Sequence, residues 1–173
     1  MGKFEENLQL ELQHAAKLNN KHVGDVAEMA FMRKAATMGF SVSKPWADSE
    51  RYDFVLRSGK LFWRVQVKSV RSKDPQRVHY RVWVARALGT PYTAEEIDFL
   101  VAYIFPEDSW YVFPISAIAN HKVVCITSNS KKSPFEPYRE AWKLMESPAT
   151  EAALGKGPCQ DADVAECIAR PER

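Results

Sequence analysis

Four side chains of this sequence have the types and spacing for one kind of chemistry: Glu28 in "GDVAE", Asp53 in "YDF", and Gln66 and Lys68 in "LFWRVQVKSV". In the last stretch Leu61, Trp63, Val65 and Val67 alternate with Arg64, Gln66 and Lys68, so a strand would turn one apolar and one polar face outward. Gln66 and Lys68, two apart, share the polar face. A hairpin loop centred on Gly59 and Lys60 pairs Ser58 with Leu61, and counting outward sets Asp53 across from Gln66. Glu28, beside the apolar stripe of a preceding helix, is placed to reach the sheet edge. Three of them would hold Mg²⁺, with Mn²⁺ as a substitute, through the hard oxygens of Asp53, Glu28 and Gln66. Such a cation polarises a phosphodiester and acidifies a water, while Lys68 orients that water or neutralises developing charge.

Each residue also has a plainer reading. Asp25 and Glu28 have the spacing of a capping box, which would make Glu28 a helix cap. Asp53, taken alone, reads as a turn residue entering a strand. Gln66 and Lys68 read as the solvent face of a half-buried strand. The combination is what points to chemistry.

The elements that must position these residues follow from periodicity. Val23, Val26, Ala27, Ala30, Phe31 and Ala35 fall on one stripe of a helix predicted over 22–38, with Gly39 as its left-handed stop. Four runs rich in β-branched and aromatic residues come next: "FSVSKPW", "YDFVLRS", "LFWRVQVKSV" and "HYRVWVAR". They predict an antiparallel meander. A second hairpin joins "DFLVAYIF" to "WYVFPIS" through "PEDS", its first strand apolar enough for burial on both faces. Residues 135–146 read as a helix, residues 1–18 as a short amphipathic helix suited to an oligomer contact, and residues 147–173 as a disordered tail poor in large apolar groups. The expected organisation is one α/β domain over residues 1–146.

Charge is distributed unevenly. Between Arg57 and Arg86 nine Lys and Arg face one acid, Asp74, for a segment charge of +8 within a chain whose total is +2. That is the electrostatic footprint of a polyanion binder, with Arg64, Arg71, Lys73, Arg77 and Arg81 as candidate phosphate contacts. No apolar run reaches the roughly 20 residues of a membrane helix, and "MGKFEENLQLELQ" lacks a secretory pattern. Cys125, Cys159 and Cys167 form no metal-ligand spacing and read as free thiols of a reducing compartment. A cytoplasmic protein is the expectation.

The order of "GDVAE" on a helix, "YDF", and "VQVK" after a hairpin resembles the PD-(D/E)XK nuclease superfamily, over about residues 20–116. The "QVK" form is similar to the branch that contains bacterial group I intron homing endonucleases. The resemblance implies a restriction-endonuclease-like α/β core, with a mixed central sheet, an antiparallel meander after a long helix, and flanking helices. It implies a metal-dependent endodeoxyribonuclease in which Asp53 is the first-motif acid, Gln66 holds the usual place of the second acid, Lys68 is the motif lysine and Glu28 is the helical acid. Tyr52 stands where the motif has Pro, and Gln66 is not acidic. The second departure keeps open a DNA-binding module of the same fold that does not cut, serving repair, restriction or a mobile element; a junction resolvase is a further alternative. Cutting both strands of duplex DNA would favour a homodimer or a larger even assembly.

Overall fold

The computed structural model describes residues 19–46, 49–73, 78–86, 89–130 and 132–148. The helix expected over 1–18 and the tail beyond Pro148 lie outside them.

Helix α1 runs from Asn20 to Thr37. Asn19 caps it by accepting the His22 N–H at 2.9 Å. Glu28 therefore sits two turns inside the helix and caps nothing. Val23, Ala27, Phe31 and Ala35, four residues apart, form its buried stripe. Gly39, at φ +87°, then turns the chain out of the helix.

Strands β1 (Ser41–Ser43), β2 (Phe54–Ser58) and β3 (Leu61–Val70) form the expected antiparallel meander. Its second turn carries Gly59 at φ +59°, and Ser58 pairs with Leu61, the predicted register. The fourth run leaves the meander: β4 (Tyr80–Trp83) pairs antiparallel with β7 (Val123–Ile126) in a sheet of its own. The place beside β3 is taken instead by β5 (Phe99–Ile104), in parallel, and β6 (Ser109–Pro114) closes the five-stranded order β1-β2-β3-β5-β6. β5 is buried on both faces except at Tyr103, as its apolar run predicts.

Alternation along β3 and β5 then builds two cores. Val65, Val67, Phe99 and Val101 pack with the α1 stripe, Phe31 lying 5.1 Å from Phe54 and 6.0 Å from Trp142 between ring centroids. On the opposite face Leu100, Ala102 and Ile104 pack with Tyr80, Val82, Val124 and Ile126 of the small sheet. The polar face of β3 is consequently covered, and Gln66 is only 8% exposed.

Residues 135–146 form two 3₁₀ turns, Glu136–Tyr138 and Trp142–Met145, rather than the expected helix. Glu140 between them has a left-handed φ of +49°, which interrupts a helical ladder. Trp142 and Met145 still bury against the α1 side. No helix of the described residues is long and apolar enough to cross a membrane.

Candidate active site

β3 outruns its neighbour. β2 begins at Phe54 opposite Val65, so among the described residues one edge of β3 has no strand beside it from Gln66 to Val70, and Asp53 stands at the head of that notch. The Asp53 backbone N–H donates to Val65 O at 2.9 Å, the last rung of the ladder. Its carboxylate then replaces the missing strand: Oδ2 accepts the Val67 N–H at 2.8 Å and the Gln66 Nε2–H at 2.5 Å. The predicted pairing of Asp53 with Gln66 is a direct hydrogen bond in the structure.

Lys68, two residues on, faces the same side and lies partly buried, with Nζ 5.8 Å from the centroid of the buried Tyr92 ring. Burial lowers its pKa, against the charges of Asp53 and Glu28. Burial likewise raises the Asp53 pKa; the Val67 hydrogen bond opposes this and the Glu28 charge adds to it. These couplings put Glu28, Asp53 and Lys68 in one electrostatic site. The Glu28 side chain is 23% exposed, and its carboxylate accepts a hydrogen bond from Lys44 Nζ at 2.6 Å. Lys44 follows the last residue of β1, Ser43, which pairs with Val55, and this brings its ammonium to the same notch.

Two residues at this site escaped the sequence reading. Lys44 could have been found only from the β1–β2 register, which the ten residues of chain from 44 to 53 do not set. Tyr92 comes from the crossover between β4 and β5, and no local pattern marks it. Its hydroxyl is pushed up to about 12 by burial and by the charge of Asp53.

The basic residues divide. Arg64 spends its guanidinium on Asp98, through Nε at 3.0 Å and Nη2 at 2.7 Å, and on the carbonyls of Ala94 and Glu95. Arg71 donates to Asn20 Oδ1 at 2.8 Å, near the start of α1. Lys73 lies 4.0 Å from Glu107 and 5.1 Å above the Tyr80 ring. Arg81 is on the exposed face of β4 with Trp83, and Arg77 lies outside the described residues.

The family model for PD-(D/E)XK endonucleases matches residues 18–145. This chain belongs to that family. Its fold is also that of a bacterial homing endonuclease, I-Ssp6803I, with 31% identity and a TM-score of 0.67 over 74% of this chain and 93% of the other. A Holliday junction resolvase from an archaeal hyperthermophile, Archaeoglobus fulgidus Hjc, shares 15% identity over 61% of this chain and 84% of its own, at a TM-score of 0.41. No curated protein matches. The family assignment makes the chain a nuclease with a restriction-endonuclease-like α/β core.

Among the described residues no three His, Cys, Asp or Glu side chains gather as a metal cluster. What the notch holds is a pair of carboxylates and an amide. Two observations fit that donor set to a cation: the Asp53 charge is disfavoured by burial and by Glu28, and an ammonium, Lys44, already stands against Glu28. The amide of Gln66 turns its nitrogen to Asp53. To serve as a ligand it would turn over and offer Oε1.

Proposed function

We propose that the chain is a DNA endonuclease that hydrolyses phosphodiester bonds with Mg²⁺, or Mn²⁺ in its place. Asp53, Glu28 and the Gln66 amide oxygen would hold the cation. When bound, it would supply Lewis-acid polarisation of the scissile phosphate and acidify the attacking water. Asp53 anchors the arrangement, because its tie to the Val67 N–H fixes the carboxylate at the end of the notch. Lys68, partly buried beside Asp53, would orient the water and neutralise charge developing on the phosphate, where low dielectric strengthens its effect. Arg71, Lys73, Arg77 and Arg81 would contact backbone phosphates. Arg64 contributes by holding β3 in register with β5 rather than by reaching out.

The single observation that carries this reading is the Asp53–Gln66 contact in the notch with Lys68 one step along the strand. The similarity to a homing endonuclease supports DNA as substrate; cutting both strands of a duplex with one site per chain would call for two chains or a larger even number. We assign the nuclease unit to residues 1–146 and the protein to the cytoplasm.

Incubation with supercoiled plasmid and Mg²⁺ tests it. The parent should nick or linearise the plasmid, and Asp53→Ala and Lys68→Ala should cut about 10³-fold more slowly. The neutral Gln66, in the place usually held by a second acid, favours a second reading: a module that binds DNA without cutting. Salt-sensitive binding by all three proteins with no cleavage in Mg²⁺ or Mn²⁺ would establish that module instead. A four-way junction cut in preference to linear duplex would mark a resolvase.

A further inference from the structure

Lys44 stands at the edge of the notch with Nζ 2.6 Å from Glu28 Oε2 and 5.9 Å above the Phe54 ring. The Glu28 contact is both a hydrogen bond and an ion pair, made between α1 and the residue that follows β1. Asp53 has a different set of partners. Its hydrogen bonds come from neutral donors, the Gln66 amide and the Val67 N–H. Among the described residues the cation in direct contact with Glu28 is Lys44, whereas the motif lysine, Lys68, acts on the pair through space.

An oxygen that accepts an ammonium hydrogen bond is engaged, and a cation seeking it meets both a rival and a like charge. We infer that Lys44 is the resident counter-ion of the metal site, occupying Glu28 in the metal-free protein and having to be displaced before a divalent cation loads. The inference rests on Glu28 and Asp53 being the metal-holding pair of the proposed nuclease.

The contact is built to be given up. The Lys44 side chain is 58% exposed, so solvent screens the pair, and such pairs contribute about 0–1 kcal/mol. A lysine also makes a point contact on a flexible stem, without the fork by which Arg64 grips Asp98. Once released, the ammonium remains at the mouth of the notch, where a backbone phosphate is the alternative anion. Phosphate binding and metal loading would then each favour the other, because both draw on the same lysine. A surface salt bridge that merely ties α1 to β1 would have no such effect on metal affinity.

The test is Mn²⁺ binding to the full chain without DNA, followed by the electron paramagnetic resonance of free Mn²⁺. Lys44→Met should bind Mn²⁺ about two- to fivefold more tightly than the parent, the span corresponding to loss of one screened ion pair. Lys44→Arg, which keeps the charge, should stay close to the parent, and Glu28→Gln should bind more weakly. If Lys44→Met binds no more tightly than the parent while Glu28→Gln weakens binding, the counter-ion role is overturned and the metal site stands. If Mn²⁺ binds equally well to the parent, Glu28→Gln and Asp53→Ala, or to none of them, the metal site and the counter-ion fall together. Lys44→Gln, run alongside with thermal unfolding, separates a charge effect from any loss of folding.

Discussion

Asp53 and Asp98 occupy matching positions on the two sides of β3. Each lies in a bend one residue before a strand that pairs with β3, β2 for Asp53 and β5 for Asp98. Each donates its own N–H to a β3 carbonyl at 2.9 Å, and each carboxylate accepts a β3 backbone N–H, Val67 at 2.8 Å and Arg64 at 2.7 Å. The side chains opposite them differ. Asp98 meets a guanidinium, whose hydrogen bonds outweigh burial and hold its pKa low. Asp53 meets an amide, and burial with the nearby Glu28 charge pushes its pKa up. One carboxylate is fully compensated and fastens the sheet. The other is left short of positive charge, the state expected of a group whose partner is a ligand.

The comparison is broken most easily at Asp53. Asp53→Asn removes the charge and keeps the shape, so plasmid cleavage should fall about 10³-fold or more. Thermal unfolding should stay level or shift upward, because the burial that disfavours the charge no longer acts on it. A variant that cuts as well as the parent, or unfolds clearly earlier, would remove the functional reading of this carboxylate.

Asp98→Asn should do the reverse. Arg64 loses a charged partner on both Oδ1 and Oδ2, and urea unfolding should show a loss of about 1–3 kcal/mol. Cleavage per folded molecule should remain within a few-fold of the parent. If activity collapses while stability holds, Arg64 and Asp98 belong to the site and not to the frame.

The asymmetry explains which parts were legible in the sequence. The Asp53–Gln66 match was readable because a two-residue hairpin sets register by counting, and Gly59 marks the turn. The α1 stripe and the buried β5 run were readable because periodicity and composition act locally. In the sequence Arg64 reads as one more phosphate contact in a basic segment, since Asp98, its partner, is 34 residues away across a parallel crossover. Pairing between distant strands leaves no local trace, so the strand signal of "HYRVWVAR" predicts a fourth meander strand although the partner of β4 is β7. Alternation along β3 named two faces correctly but could not say that the polar one would be roofed by the small sheet.

Gln66→Glu sharpens the contrast from the other side by adding a second acid beside Asp53. Mn²⁺ affinity should rise by about tenfold, since one more negative ligand faces the cation. The metal-free protein should lose about 1 kcal/mol, because two carboxylates then crowd one buried place. An unchanged affinity would show that position 66 does not face the cation.

The smallest expected effect is the most direct comparison of the two carboxylates, through the pH dependence of urea unfolding. Asp98, with a folded-state pKa below its unfolded value of about 3.9, contributes stability that is complete above that value and is lost as pH falls through the folded one. Asp53, raised when folded, takes up its proton in the folded state first, so stability rises as pH falls through the folded value toward about 3.9. Relative to the parent, Asp98→Asn should therefore flatten the acid decline below about pH 4, and Asp53→Asn should remove a gain just above it. Since Asp98 is partly exposed, solvent screening keeps its share to about 1 kcal/mol, so the midpoints need comparison at closely spaced pH between 3 and 6. Parallel curves for the two variants would show that the carboxylates are electrostatically alike, and the division between a fastening side and a working side of β3 would fail.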